Sequence, residues 1–168
     1  YATTLLRLLG YSNVKDLLWG MCSWNSATSS YWTSSINNGR AFQFKITNNP
    51  KAISGELPIL NTSKTSGENI LRARIEKMLS SSDPLGDVKV SSDEVYSNLD
   101  NYYIINYWPE VDYSWGHIET AIQYTPNKSL LLENDLKTLP TDKKIAVYCD
   151  ILIMYEIKIR IITVFEIK

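Results

Sequence analysis

The strongest constraint on the fold of this chain is one short stretch, Asp142-Lys143-Lys144-Ile145-Ala146-Val147-Tyr148-Cys149. An apolar run this brief, opened by charge and rich in β-branched and aromatic residues, is too short for a helix. It has the pattern of a strand buried on both faces, as in the middle of a parallel sheet. Ligands and reactive groups in such sheets collect at the carboxyl ends of the strands. Cys149 is therefore the first candidate for chemistry.

The segments leading up to that strand alternate between helical and extended patterns. Residues 4–9 place Leu5, Leu8 and Leu9 on one helical face, with Gly10 where a left-handed C-terminal cap belongs. Residues 13–18 read as a strand. From Asn25 to about Lys64, Ser, Thr, Asn and Gly accumulate around Pro50 and Pro58, the character of a surface stretch or linker. Thr65-Ser66-Gly67-Glu68 fits a capping box before Leu71, Ile75, Met78 and Leu79, while Arg72, Arg74 and Lys77 fall on a solvated face. Residues 80–86 read as a loop and residues 88–90 as a short edge strand. Ser91-Ser92-Asp93-Glu94 repeats the capping pattern ahead of Val95 and Leu99. Tyr102-Tyr103-Ile104-Ile105-Asn106-Tyr107-Trp108 is strongly β-prone and ends at Pro109. Gly116-His117-Ile118 leads into Ala121-Ile122-Gln123-Tyr124, and residues 130–139 suggest another short helix. The Ile-rich tail, residues 151–168, alternates like a strand at residues 157–161, and a long exposed strand there is an aggregation hazard. The expectation is an α/β fold.

Composition narrows the function. A charge of −1 gives no long-range attraction for nucleic acid or an anionic membrane. Two cysteines and one histidine are too few for a closed structural zinc site. No stretch approaches the ~20 apolar residues that span a bilayer, so a soluble protein, cytoplasmic by default, is expected. The chain opens on Tyr1 without a leader-like pattern, as though partway through an element. A Cys22–Cys149 disulfide is arithmetically possible, but the spacing does not call for it.

Three local patterns coincide in one family. Asp112-Tyr113-Ser114-Trp115-Gly116-His117-Ile118-Glu119-Thr120-Ala121 resembles the Gly-His-Ile-x-x-Ala signature of rhodanese-like domains. Leu139-Pro140-Thr141 and the strand after it, up to Cys149, resemble the segment that carries that family's active-site cysteine. Residues 5–15, continuing to Gly20-Met21, resemble the helix and strand that follow the active-site loop. The order is permuted, since the segment that should follow Cys149 comes first. The resemblance therefore implies the back part of one rhodanese-like domain in residues 1–48, a linker in 49–64 and the front part of a second in 65–150, or a circular permutant; the tail is atypical. A tandem origin is the favoured reading, and both predict a rhodanese-like parallel sheet flanked by helices.

The resemblance further implies sulfurtransferase chemistry, in which sulfane sulfur passes from a thiosulfate-type donor to cyanide or a thiol through a persulfide on Cys149. It implies no metal or organic cofactor and allows association with another rhodanese-like domain. Such chemistry needs a stabilised thiolate and a ring of backbone N–H donors around the sulfur, built from glycine and small hydroxyl residues. Cys149 is followed instead by Asp150-Ile151-Leu152-Ile153-Met154-Tyr155. None of these is Gly, Ser or Thr, and Asp150 beside the thiolate should raise its pKa. An Ile- and Lys-rich run of this kind is what a shifted frame in AT-rich coding DNA would give, and the activity is expected to be impaired. The alternative is a catalytically silent rhodanese module with an interaction or structural role. Of the remaining candidates, Cys22 reads as packing, His117 as a turn residue bonded to backbone, and Glu110, Asp112 and Glu119 as a solvated loop; core and interface packing accounts for most of the five tryptophans. The arginine that a related phosphatase loop needs six residues after its cysteine is Tyr155 after Cys149 and Thr28 after Cys22, which disfavours that activity.

Overall fold

The structure, a computed structural model, describes residues 2–17, 20–34, 41–84, 86–149 and 160–165. The chain forms two compact units, Tyr1–Asn37 with Ile59–Gly86 and Asn38–Pro58 with Asp87–Lys168.

The first unit is helical. Helix α1, Ala2–Leu8, ends at Gly10, whose φ of 99° lets Gly10 N–H bond Arg7 O and Tyr11 N–H bond Leu6 O, each at 3.0 Å. That double closure is the left-handed stop expected of glycine. Residues 14–17 have no regular structure, so the expected strand at 13–18 is absent from its described residues. No ladder partner holds it, and Leu17 is exposed. Two 3-10 turns, Gly20–Ser23 and Ser26–Thr28, precede the short helix α2, Ser30–Ser34. Helix α3, Gly67–Leu79, starts one residue later than the capping box predicts. Ser66, not Thr65, is the N-cap and accepts from Asn69 N–H at 3.3 Å. Of its expected apolar stripe only Ile75 is buried, while Leu71 and Leu79 are exposed and the basic residues face solvent.

The second unit carries the sheet. Helix α4, Ser92–Ser97, is capped by Ser91 as its sequence predicts, with Glu94 N–H donating to Ser91 Oγ at 3.1 Å. Strand β1, Tyr102–Asn106, follows; then come helix α5, Glu110–Tyr113, and strands β2, Ile122–Gln123, and β3, Lys144–Cys149. The strands run in the order β2-β1-β3 and all are parallel, with Ile105 opposite Ile122 and Val147. A fourth strand, β4, Arg160–Phe165, joins the far side of β3 antiparallel, with Arg160 opposite Cys149 and a register shift between Val147 and Tyr148. The architecture is α/β around a small parallel sheet. An antiparallel strand drawn from the tail departs from the all-parallel expectation, and it lies later than the alternation at residues 157–161, most of which falls outside the described residues. Two other expected elements fail. Residues 88–90 make a turn and irregular chain, and residues 130–139 form turns with only a 3-10 segment at Leu136–Thr138.

Strand β1 is buried along its whole length because both its faces are covered. Tyr102 and Ile104 pack with Val95, Ile118, Ala121, Ala146 and Tyr148 on one face, and Tyr103 and Ile105 pack with Ile122, Tyr124 and Ile145 on the other. The period-2 alternation of a strand divides one apolar run between two cores.

Residues 41–58, which the sequence divides between a first part and a linker, form a strap on this unit. Lys45 and His117 exchange backbone hydrogen bonds at 2.9 Å in each direction, Asn49 Nδ2 donates to Ala121 O at 2.8 Å, and Gly55 N–H donates to Lys137 O at 2.7 Å. Lys51 lies 3.5 Å from an Asp135 carboxylate oxygen.

Candidate functional site

Three parallel strands deliver Asn106, Gln123 and Cys149 to one edge of the sheet, the carboxyl edge. Asn106 is the organising residue there. It is fully buried; its Nδ2 donates to the Tyr148 hydroxyl at 2.9 Å, its Oδ1 accepts from Trp108 N–H at 3.2 Å, and its backbone O accepts from Tyr124 N–H at 2.9 Å. The Tyr148 hydroxyl also accepts from Ile118 N–H at 3.3 Å. Burial pushes the Tyr148 phenol far above its usual range, outweighing the Asn106 and Ile118 donors, which favour the phenolate. Tyr148 is thus a neutral hydrogen-bonding post. Trp108 packs edge-on against its ring, with centroids 5.5 Å apart and planes at 80°.

Cys149 follows Tyr148 at the end of β3, half-buried and packed against the cluster that contains Trp108 and Tyr148. It forms no disulfide, and neither does Cys22. Residues 150–155, where the active-site loop and the charge of Asp150 are expected, lie outside the described residues. The next described element after Cys149 is β4.

His117 is fully buried beside Gly116, whose φ is 140° and where a Cβ would come within 3.2 Å of Phe44 Cβ. Its ring stacks on Tyr113 at 3.5 Å. Nδ1 lies 2.8 Å from Tyr113 O, and a carbonyl only accepts, so Nδ1 carries the proton. Nε2 therefore accepts, facing the Thr47 hydroxyl at 2.8 Å and Thr47 N–H at 3.4 Å; the hydroxyl also lies 2.9 Å from Glu119 O, so its one proton has two acceptors to serve. Burial holds the imidazole below its ordinary pKa, against the raising effect of its bonds to Tyr113 and Thr47. The residue is a neutral clamp for the strap, bonded to backbone as its sequence setting predicts.

Other sequence candidates do not converge on Cys149. Glu110 and Glu119 are exposed while Asp112 is buried, so the expected solvated cluster is split. Among the described residues no three His, Cys, Asp or Glu side chains lie close enough to hold a metal ion. Cys22 is half-exposed in a 3-10 turn, its thiol donating to Thr28 O at 3.7 Å, rather than packed in a core. Of the tryptophans whose side chains are described, Trp108 is a core residue as expected, while Trp24 and Trp115 are exposed.

A cavity of about 380 Å³ opens at the opposite, amino edge of the sheet, lined by Glu94, Asp100, Tyr102, Asp142, Lys143 and Lys144. Burial and then the neighbouring Glu94 charge raise the Tyr102 phenol above its usual range, and its hydroxyl lies 3.4 Å from Glu94 Oε1. The two edges differ in chemistry. The amino edge offers mixed exposed charge, and the carboxyl edge a thiol beside a buried amide, phenol and indole.

Asn106, Tyr148 and Trp108 were not singled out for the site by sequence. The available signal was Asn106 itself, a polar residue interrupting an apolar run that is otherwise buried at every position. Among the described residues no helix is long and apolar enough to cross a membrane. No family model, no curated protein and no solved structure matches the chain.

Proposed function

We propose that the chain is a rhodanese-like sulfurtransferase fragment whose nucleophile is Cys149, comprising the back part of one such domain followed by the front part of a second. The observation that carries this reading is the position of Cys149 at the carboxyl end of β3, a buried strand that pairs parallel with β1 and antiparallel with β4. The Cys149 thiolate attacks the sulfane sulfur of thiosulfate; the sulfur–sulfur bond breaks and sulfite leaves with the electron pair. Cyanide or a thiol then attacks the terminal persulfide sulfur, forming thiocyanate or a new persulfide and releasing the Cys149 thiolate. Small sulfur donors and acceptors are the partners this chemistry requires, and the permuted parts favour association with another domain of the same kind.

A second reading, a silent module with an interaction role, has its own support. The six residues after Cys149 contain no Gly, Ser or Thr, and the next described element is an antiparallel strand. A thiosulfate:cyanide assay on the chain and on Cys149→Ser decides between the two. Thiocyanate formation that disappears with the substitution supports the enzyme. Its absence in the unsubstituted chain, with no persulfide mass gain of one sulfur at Cys149, supports the silent module.

A further inference from the structure

Helices α1 and α3 of the first unit leave most of their apolar side chains in solvent. α1 is seven residues long and buries none of them, and α3, thirteen residues long, buries Ile75 alone. Helices this short are marginal in water, and packing of an apolar face is what normally holds them. Here Leu6, Leu8, Leu71 and Leu79 are exposed. A groove of about 150 Å³ opens where the two helices meet, lined by Leu8, Leu9, Gly10, Glu68, Leu71 and Arg72. Glu68, Leu71 and Arg72 stand at i, i+3 and i+4 on α3, so a carboxylate, an apolar side chain and a guanidinium share one helix face. Both charged residues are exposed, and among the described residues neither makes an ion pair.

We infer that this face is the contact between two copies of the chain, which meet through α3 packed antiparallel on α3 about a twofold axis. The charge pattern selects that occupant. A twofold interface has to be complementary to itself. An axis passing midway between positions 68 and 72 brings Glu68 of each copy to Arg72 of the other, and it sets the two Leu71 side chains near the axis with Leu8 at the flank. Both ion pairs then form at once around an apolar centre. A net charge of −1 leaves little repulsion between whole copies to oppose them. The face belongs to the first unit and Cys149 to the second, so the inference goes beyond the sulfur-transfer reading and does not depend on it.

The test is sedimentation velocity on the full chain from about 1 μM to about 1 mM, the range in which a modest interface titrates. A reversible monomer–dimer equilibrium is expected, with amide protection of α3 rising as the dimer fills. Glu68→Lys or Arg72→Glu alone sets like charges against each other twice across the axis and is expected to weaken the dimer about tenfold at low salt. Mixing these two variants in equal amounts puts opposite charges back at both contacts and is expected to restore the dimer. A variant that had merely lost its helix would gain nothing from the mixture. Leu71→Ser, at an exposed position, is expected to weaken the dimer by a similar factor. A chain that stays monomeric throughout, single reversals without effect, or a mixture no tighter than its components overturns the inference. So does protection of α3 that is high at every concentration, which would mean a cover from within the same chain. Sulfur transfer by a strictly monomeric chain would remove the dimer and keep the enzyme, and a charge-dependent dimer without turnover would do the reverse.

Discussion

A buried imidazole with both nitrogens engaged has little room for a second proton. Protonating His117 would turn Nε2 from acceptor to donor, setting it against Thr47 N–H and sending the Thr47 hydroxyl proton to Glu119 O. The ring's own hydrogen bonds go to Tyr113 and Thr47, not to the charged groups nearest in sequence on the packed segments, Lys45 on the strap, Asp112 on α5 and Glu119 after the turn, and Tyr113, stacked on it, is itself raised in pKa by burial. The sign follows from linkage. The folded-state pKa lies below the ordinary 6.5, so as pH falls the unfolded chain takes up its proton first. His117 therefore costs no stability well above pH 6.5, and stability drops as pH falls from 6.5 through the folded-state pKa. With one histidine in the chain, the single imidazole resonance should titrate below pH 6.5. A midpoint at or above that value contradicts the clamp. Tyr148→Phe removes the acceptor for Asn106 Nδ2 and Ile118 N–H and is expected to cost about 1–3 kcal/mol in urea unfolding. A loss within error of zero would mean that both donors find other partners.

Elements whose cause is local were legible in the sequence, and those needing a distant partner were not. Gly10 ends α1 and Ser91 starts α4 through bonds made within a few residues. Strands β1 and β3 were legible because apolar runs this dense have to be buried somewhere. Residues 13–18 and 88–90 have comparable local patterns, but a strand exists only where a neighbour completes its ladder, and in their described residues none does. The same divide runs through the candidate site. Cys149 was visible as the end of a buried strand, whereas the bond from Asn106 to Tyr148 joins residues 42 apart and leaves no mark in either local pattern. The shifted start of α3 gives an element-scale test. Ser66→Ala should destabilise that helix by about 1 kcal/mol while Thr65→Ala leaves it nearly unchanged, read from exchange of the α3 amides. Equal effects, or a larger one at Thr65, would restore the capping box of the sequence.

At the scale of the whole chain the two units differ in what holds them. The described residues of the first bury one apolar side chain, Ile75, whereas the second closes two cores around β1. Because buried apolar contacts set the free energy of local opening, amide exchange should be slowest in β1 and β3 and much faster in α1 and α3. Uniform protection across both units, measured by mass spectrometry, would show that the helices share a core they lack here. The strap also has a consequence in time. Thr47 is docked by His117, 70 residues further along the chain. At a synthesis rate of about 5–20 residues per second, the ribosome makes the strap roughly 4–14 s before it makes the residue that receives it. During that interval the segment has only water and whatever meets the nascent chain for company. Its polar anchors at Thr47 and Asn49 keep it solvated while it waits, and because β2 and β3 follow His117 in the chain, the residue that receives the strap is made before the sheet can be completed.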